Sequence, residues 1–95
     1  LKPDLLNELG DLLRQARRTA GLTQEQVADL AGISRPRYRD IETGAAAARI
    51  TTLMNVSRAV GLEIMLVPQA MVPAVLALVR PHDDDDLPAF AAQPD

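Results

Sequence analysis

The sequence predicts an all-α domain of four core helices, followed by one C-terminal β-strand. Three observations carry that prediction. Apolar residues recur at helical spacing from Leu5 to Val60. Single glycines stand where each periodic run stops, at Gly21, Gly32, Gly44 and Gly61. The pattern then changes to alternation over Leu62–Pro68. With 95 residues and 47% hydrophobic composition, the chain has material for one domain and a modest core.

The first helix is expected from Asp4 to Ala20, with Leu5, Leu9, Leu12, Leu13, Ala16 and Ala20 as its buried stripe. Gly10 inside it costs roughly 1 kcal/mol relative to alanine, which points to a place where two helices touch closely. Arg14, Arg17 and Arg18 crowd the C-terminal half, where cations suit the helix dipole, and a solvated face would also hold Arg14 and Arg18. The second helix opens on a capping box, Thr23 with Gln26, and turns Val27, Leu30 and Ala31 to one side. Gly32 supplies the left-handed residue that ends it. Ile33 plugs the turn, and Ser34 is the next N-cap. Arg-Pro-Arg-Tyr-Arg-Asp-Ile-Glu follows, up to Gly44. Pro36 falls in the first turn, where no intrahelical N–H bond is lost. Helix, short turn and second helix form the helix-turn-helix arrangement used on DNA.

On the third helix, Ile33, Tyr38 and Ile41 should face inward. Ser34, Arg35, Pro36, Arg39 and Asp40 project outward, with Arg37 at the edge. Arginine suits bidentate bonding to guanine O6 and N7, worth ~1–3 kcal/mol of discrimination per pair. Arg37 and Arg39 fit phosphates equally well, and Asp40 is placed to hold one of them or to accept from a cytosine amine. The fourth helix is expected over Thr51–Val60, with Ile50, Leu53, Met54, Val56 and Val60 as its core stripe.

A net charge of −3 looks wrong for a DNA binder until its distribution is read. Between Arg14 and Arg58, eight arginines face four carboxylates (Glu25, Asp29, Asp40, Glu42), a local net of +4. From Pro81 onward the charged residues are five aspartates, so a basic body carries an acidic tail. The chain has no cysteine and one histidine, His82, with no second ligand or base beside it. Its glycines are scattered singly, so no phosphate-cradling loop is present, and neither catalysis nor a metal or cofactor is expected. Tyr38 and Phe90 are too few aromatics for a single-strand stacking platform. The longest apolar run, Ala70–Val79, is broken by Pro73 and falls short of the ~20 residues that span a bilayer. No signal-peptide pattern opens the chain. A cytoplasmic, nucleoid-associated protein without a membrane partner is the expectation.

Leu22–Gly44, LTQEQVADLAGISRPRYRDIETG, resembles the helix-turn-helix core of the lambda-repressor-like family, also called Xre/Cro. The Leu-Thr-Gln entry, the Ala-Gly-Ile-Ser turn and the Ile-Glu-x-Gly exit carry the likeness. Leu9–Gly21 and Ile50–Glu63 also fit, so it extends from about Leu5 to Val67. The resemblance implies that Arg17 pairs with Glu42 as a structural tie between the first and third helices. It implies that Gln24 bonds a phosphate and buttresses the recognition helix, and that Ser34, Arg35 and Pro36 sit deepest in the major groove. Base contacts are therefore assigned to Ser34, Arg35, Pro36 and Arg39, and phosphate contacts to Arg18, Gln24, Arg37 and Arg49. Ala45–Ala48 replaces residues that are polar or basic in many relatives. Phosphates near that loop must be met by backbone N–H groups or by Arg49.

Leu62–Pro68 reads as a strand through Leu62, Ile64 and Leu66. A lone strand leaves its backbone unpaired, so a second copy is its simplest partner, giving a homodimer on a palindromic operator. The Gly-Leu-Glu-x-x-Leu-Val exit is similar to the HipB-type antitoxins. That similarity implies autorepression and a HipA-type serine/threonine kinase toxin as partner. The other reading is a stand-alone Xre-family repressor of phage or restriction-control type, with no toxin. Met71–Arg80 is apolar nearly all round and is expected to be an extra helix, buried on a second subunit or a partner. The expected organisation is a DNA-binding domain over 1–61, a dimerisation strand and apolar segment over 62–80, and an acidic tail over 81–95.

Overall fold

Asp4 caps the first helix by accepting the Asn7 backbone N–H at 3.2 Å, and α1 then runs Leu5–Ala20. In the computed structural model, which describes residues 4–79, three more helices follow: α2 Gln24–Ala31, α3 Arg35–Thr43 and α4 Ile50–Ala59. Each of the first three has the side-chain cap its sequence calls for. Thr23 and Gln26 form both halves of the capping box on α2. Ser34 accepts the Arg37 N–H at the start of α3, with Pro36 in its first turn. Gly32 between α2 and α3 has φ 73°, a left-handed geometry that most side chains resist.

The chain divides into two units, Leu1–Ile64 and Met65–Asp95. In the first, α1 packs on α3, and α2 packs on both α3 and α4. The core is Leu13, Val27, Ala28, Tyr38, Ile41, Val56 and Val60, with Ala16, Leu22, Ala31, Ile33, Ala48, Leu53 and Ala59 against it. Gly10 is buried where α1 crosses α3, and a Cβ there would overlap the backbone carbonyl of Glu42. In the second unit, a 3₁₀ turn at Gln69–Met71 leads into α5, Val72–Val79. Pro73 lies in the first turn of α5, which needs no N–H from it.

Several expectations are corrected. Among the described residues there is no strand: Leu62, Ile64 and Leu66 lie in a segment, 62–68, without regular secondary structure. Alternation alone does not make a strand, because a strand exists only through the ladder a partner supplies. Leu5, Leu9 and Leu12, expected in the core, are 64%, 37% and 59% exposed. Helical periodicity places them on one stripe but does not say what covers it, and in this unit α3 covers the neighbouring face. Leu30, 65% exposed, is turned away from the Val27–Ala28 face that meets the core. Ile50, 59% exposed, is the first residue of α4, which begins at Ile50 and ends at Ala59. Arg80, His82, Asp83–Asp86 and Phe90 lie outside the described residues.

Candidate nucleic-acid interface

One buried carboxylate ties the end of α1, the start of α2 and α3 together. Glu42, buried on the inner face of α3, accepts from Arg17 twice, with Nε to Oε2 at 2.8 Å and Nη2 to Oε1 at 2.9 Å. Gln24 Nε2 donates to Oε1 at 2.9 Å, and Tyr38 Oη donates to Oε2 at 2.6 Å. Arg17 also donates to the Leu22 carbonyl at 3.0 Å, which fixes the α1–α2 connection. Burial pushes the Glu42 carboxyl up, but the bonds from Arg17, Tyr38 and Gln24 outweigh it and hold the group down at about 2. Burial, followed by the bond to Glu42, raises the Tyr38 phenol well above its ordinary range. The bond to Glu42 raises the Arg17 guanidinium, so the Arg17–Glu42 pair stays ionised near neutral pH while the Tyr38 phenol stays protonated.

The outer face of α3 has the opposite character. Arg35, Pro36, Arg37 and Arg39 are exposed. None of these three arginines has a carboxylate partner among the described residues. Ser34 is exposed at the N-cap, with its hydroxyl oxygen turned to the Arg37 N–H. Asp40, expected to hold a neighbouring arginine, forms no ion pair among the described residues; its carbonyl accepts from Ala45 and Ala46 instead. Arg35 lines a polar hollow of about 500 Å³ with Arg17, Leu22, Thr23, Gln24 and Glu25. That hollow lies at the N-terminus of α2, whose first N–H groups and positive dipole end suit an anion. Gln24 therefore sits between the inner carboxylate and this hollow. Its second amide hydrogen and its carbonyl oxygen are not used by the bond to Glu42.

Arg49 is exposed at the N-cap of α4, and no side chain caps that helix. Its leading N–H groups and Arg49 are thus both available to one anion. Arg18 is exposed on α1, one residue and so about 100° around the helix from Arg17. Arg14, beside it, is bonded to Asp11 at 2.6 Å. The structure thus brings Gln24 and Arg35 to one hollow, carries Arg37 and Arg39 on the same exposed helix, and sets Arg18 apart on α1. Sequence reasoning missed the Tyr38 hydroxyl as a donor to Glu42. The available signal was their i, i+4 spacing on one helix.

Comparison with known proteins bears on this arrangement. A family model described as "Helix-turn-helix domain" matches residues 8–68. The chain belongs to this helix-turn-helix family. An uncharacterised HTH-type transcriptional regulator, y4dL, of Sinorhizobium fredii is 32% identical over 63 residues, which is 66% of this chain and 32% of that protein. The helix-turn-helix chain thus spans about a third of the length of this curated relative. The crystal structure of the restriction-modification controller protein C.AhdI from Aeromonas hydrophila superposes with a TM-score of 0.61 at 28% identity. The match covers 64% of this chain and 92% of that one. By name, the first of these is a transcriptional regulator and the second a restriction-modification controller. No helix among the described residues is long and apolar enough to cross a membrane.

Proposed function

We propose that this helix-turn-helix chain is a stand-alone transcriptional repressor that binds double-stranded operator DNA as a homodimer, with α3 in the major groove. One observation carries the reading. Arg14, Arg17 and Arg58 each hold a carboxylate, whereas Arg18, Arg35, Arg37, Arg39 and Arg49 hold none among the described residues. The unpaired set is the one assigned to DNA. A cluster of guanidinium groups left open on a recognition helix gains most from an anion of matching geometry. In this reading, Ser34, Arg35, Pro36 and Arg39 meet base edges. Arg18, Gln24, Arg37 and Arg49 hold phosphates. Pro36, lacking a donor, shapes the contact through its apolar ring.

The names of the matched proteins support the regulator without a toxin partner at least as well as an antitoxin. A HipA-type kinase has no support in them, and the stand-alone reading needs no second protein. The testing experiment is selection of bound duplexes from a random pool, followed by titration of the selected and scrambled sequences at several salt concentrations. A selected site bound more tightly, with affinity falling steeply as salt rises, is expected. Equal affinity for both duplexes would sink the proposal.

A further inference from the structure

We infer that Asp40 is a specificity-determining residue whose carboxylate accepts from the exocyclic amine of a cytosine in the major groove. This contact rests on the reading above, in which α3 enters that groove. It adds a base contact of opposite charge to those of the arginines.

The geometry of α3 selects the residue. Tyr38, Ile41 and Glu42 are buried on this helix. At ~100° per residue, Pro36, Asp40 and Thr43 lie within about 30° of the line directly opposite that buried face. Pro36 and Thr43 are exposed, and Asp40 is partly so. Arg35 and Arg39 stand to one side of this stripe, and Arg37 stands to the other. The line turned most squarely outward therefore carries a proline, an aspartate and a threonine between guanidinium groups. Pro36 has no donor, and the Thr43 hydroxyl donates to the Asp40 carbonyl at 3.3 Å. Asp40 holds the one ionised group of the stripe.

Nothing in the helix itself accounts for a carboxylate at this place. Asp40 follows Arg37 by three residues, a spacing at which ion pairs form on a helix. Among the described residues, however, its carboxylate forms no ion pair and accepts no hydrogen bond. Its bonds to Thr43, Ala45 and Ala46 are made by the backbone carbonyl. It also lies in the last turn of α3, where the negative end of the helix dipole opposes an anion. On a helix that approaches phosphates, such a group is unfavourable unless a donor meets it.

Base chemistry identifies that donor. An ionised carboxylate only accepts. In the major groove guanine presents the acceptors N7 and O6, and thymine presents O4 and a methyl group, so both reject it. Adenine sets its N6 amine beside the N7 acceptor, whereas cytosine presents its N4 amine alone.

The test is duplex selection from a random pool with the full chain, as wild type, Asp40→Asn and Asp40→Ala. Each protein is then titrated on the wild-type operator and on variants of it at every base pair. Both substitutions should leave the helical signal and Tm unchanged, because the carboxylate has no partner in the fold to lose. The wild type should demand C·G at one pair, with replacement there weakening binding by ~5- to 150-fold. Asp40→Asn should move the preference at that pair to A·T, since asparagine bonds both N6 and N7 of adenine. Asp40→Ala should accept all four pairs there alike, while Arg35→Ala relaxes a different pair. If both Asp40 variants tighten operator and scrambled DNA by one common factor and keep every preference, the inference is overturned and Asp40 is only a brake on phosphate contact. Discrimination that both variants retain unchanged likewise overturns the inference alone. A wild type that binds operator and scrambled duplexes equally overturns the proposed regulator, and this contact with it.

Discussion

Arg17 of α1 and Glu42 of α3 meet in a two-pronged ion pair with both side chains largely buried, 13% and 3% exposed. The pair joins the last turn of α1 to the last turn of α3. A buried carboxylate with four donors is stable only while all of them remain, because any vacancy leaves a charge short of partners away from water. Arg17→Ala is therefore expected to destabilise the fold by ~3–5 kcal/mol. Urea denaturation followed by helical signal checks this, and a loss under 1 kcal/mol would show that the pair does not brace α1 against α3.

The same carboxylate makes stability depend on acid. Glu42 has a folded value of about 2 against an ordinary value of 4.5. Its folded value is depressed, so its contribution is complete above the unfolded value. It is lost as pH falls from about 5 toward 2, and amounts to about 3 kcal/mol at most. Glu42→Gln should flatten that part of the stability curve. An unchanged acid slope in the variant would assign the effect to other carboxylates.

Gly10 is required by the α1–α3 crossing, where a Cβ would meet the Glu42 carbonyl. Gly10→Ala raises helix propensity yet should destabilise by at least ~2 kcal/mol, because two backbones must separate. A thermal melt decides the sign.

Arg35 and Arg37 should fail in different ways on DNA. Arg35→Ala is expected to cost ~1–3 kcal/mol on the selected operator and to relax preference at one base pair. Arg37→Ala should weaken all duplexes alike and reduce the salt slope by ~1. Titrations on operator and scrambled DNA at three salt concentrations separate the two behaviours. Identical profiles would remove the distinction between base and phosphate roles.

Most of the helix-turn-helix was legible in the chain because local signals state it. Thr23 with Gln26, Ser34 with Pro36, and the glycines after each helix fix starts and stops through bonds only a few residues long. The inward set of Val27, Tyr38, Ile41 and Val56 follows from helical period in the same way. The failures share one cause. Leu5, Leu9, Leu12 and Leu30 carry the period of a buried face, and Leu62–Leu66 carries that of a strand, but burial and pairing both need a second surface. Periodicity records which residues share a side, not what stands opposite.

The sequence by itself determined four helices, the caps of the first three, and an arginine-rich third helix, since each depends on neighbours within one turn. Only the tertiary structure decided that Gln24 and Tyr38 join Arg17 on the Glu42 carboxylate. It also decided that Arg35 opens onto the N-terminus of α2, and that the leucines of α1 remain uncovered in their own unit. Those relationships join residues up to 25 positions apart. They exist only once packing has closed the loops between them.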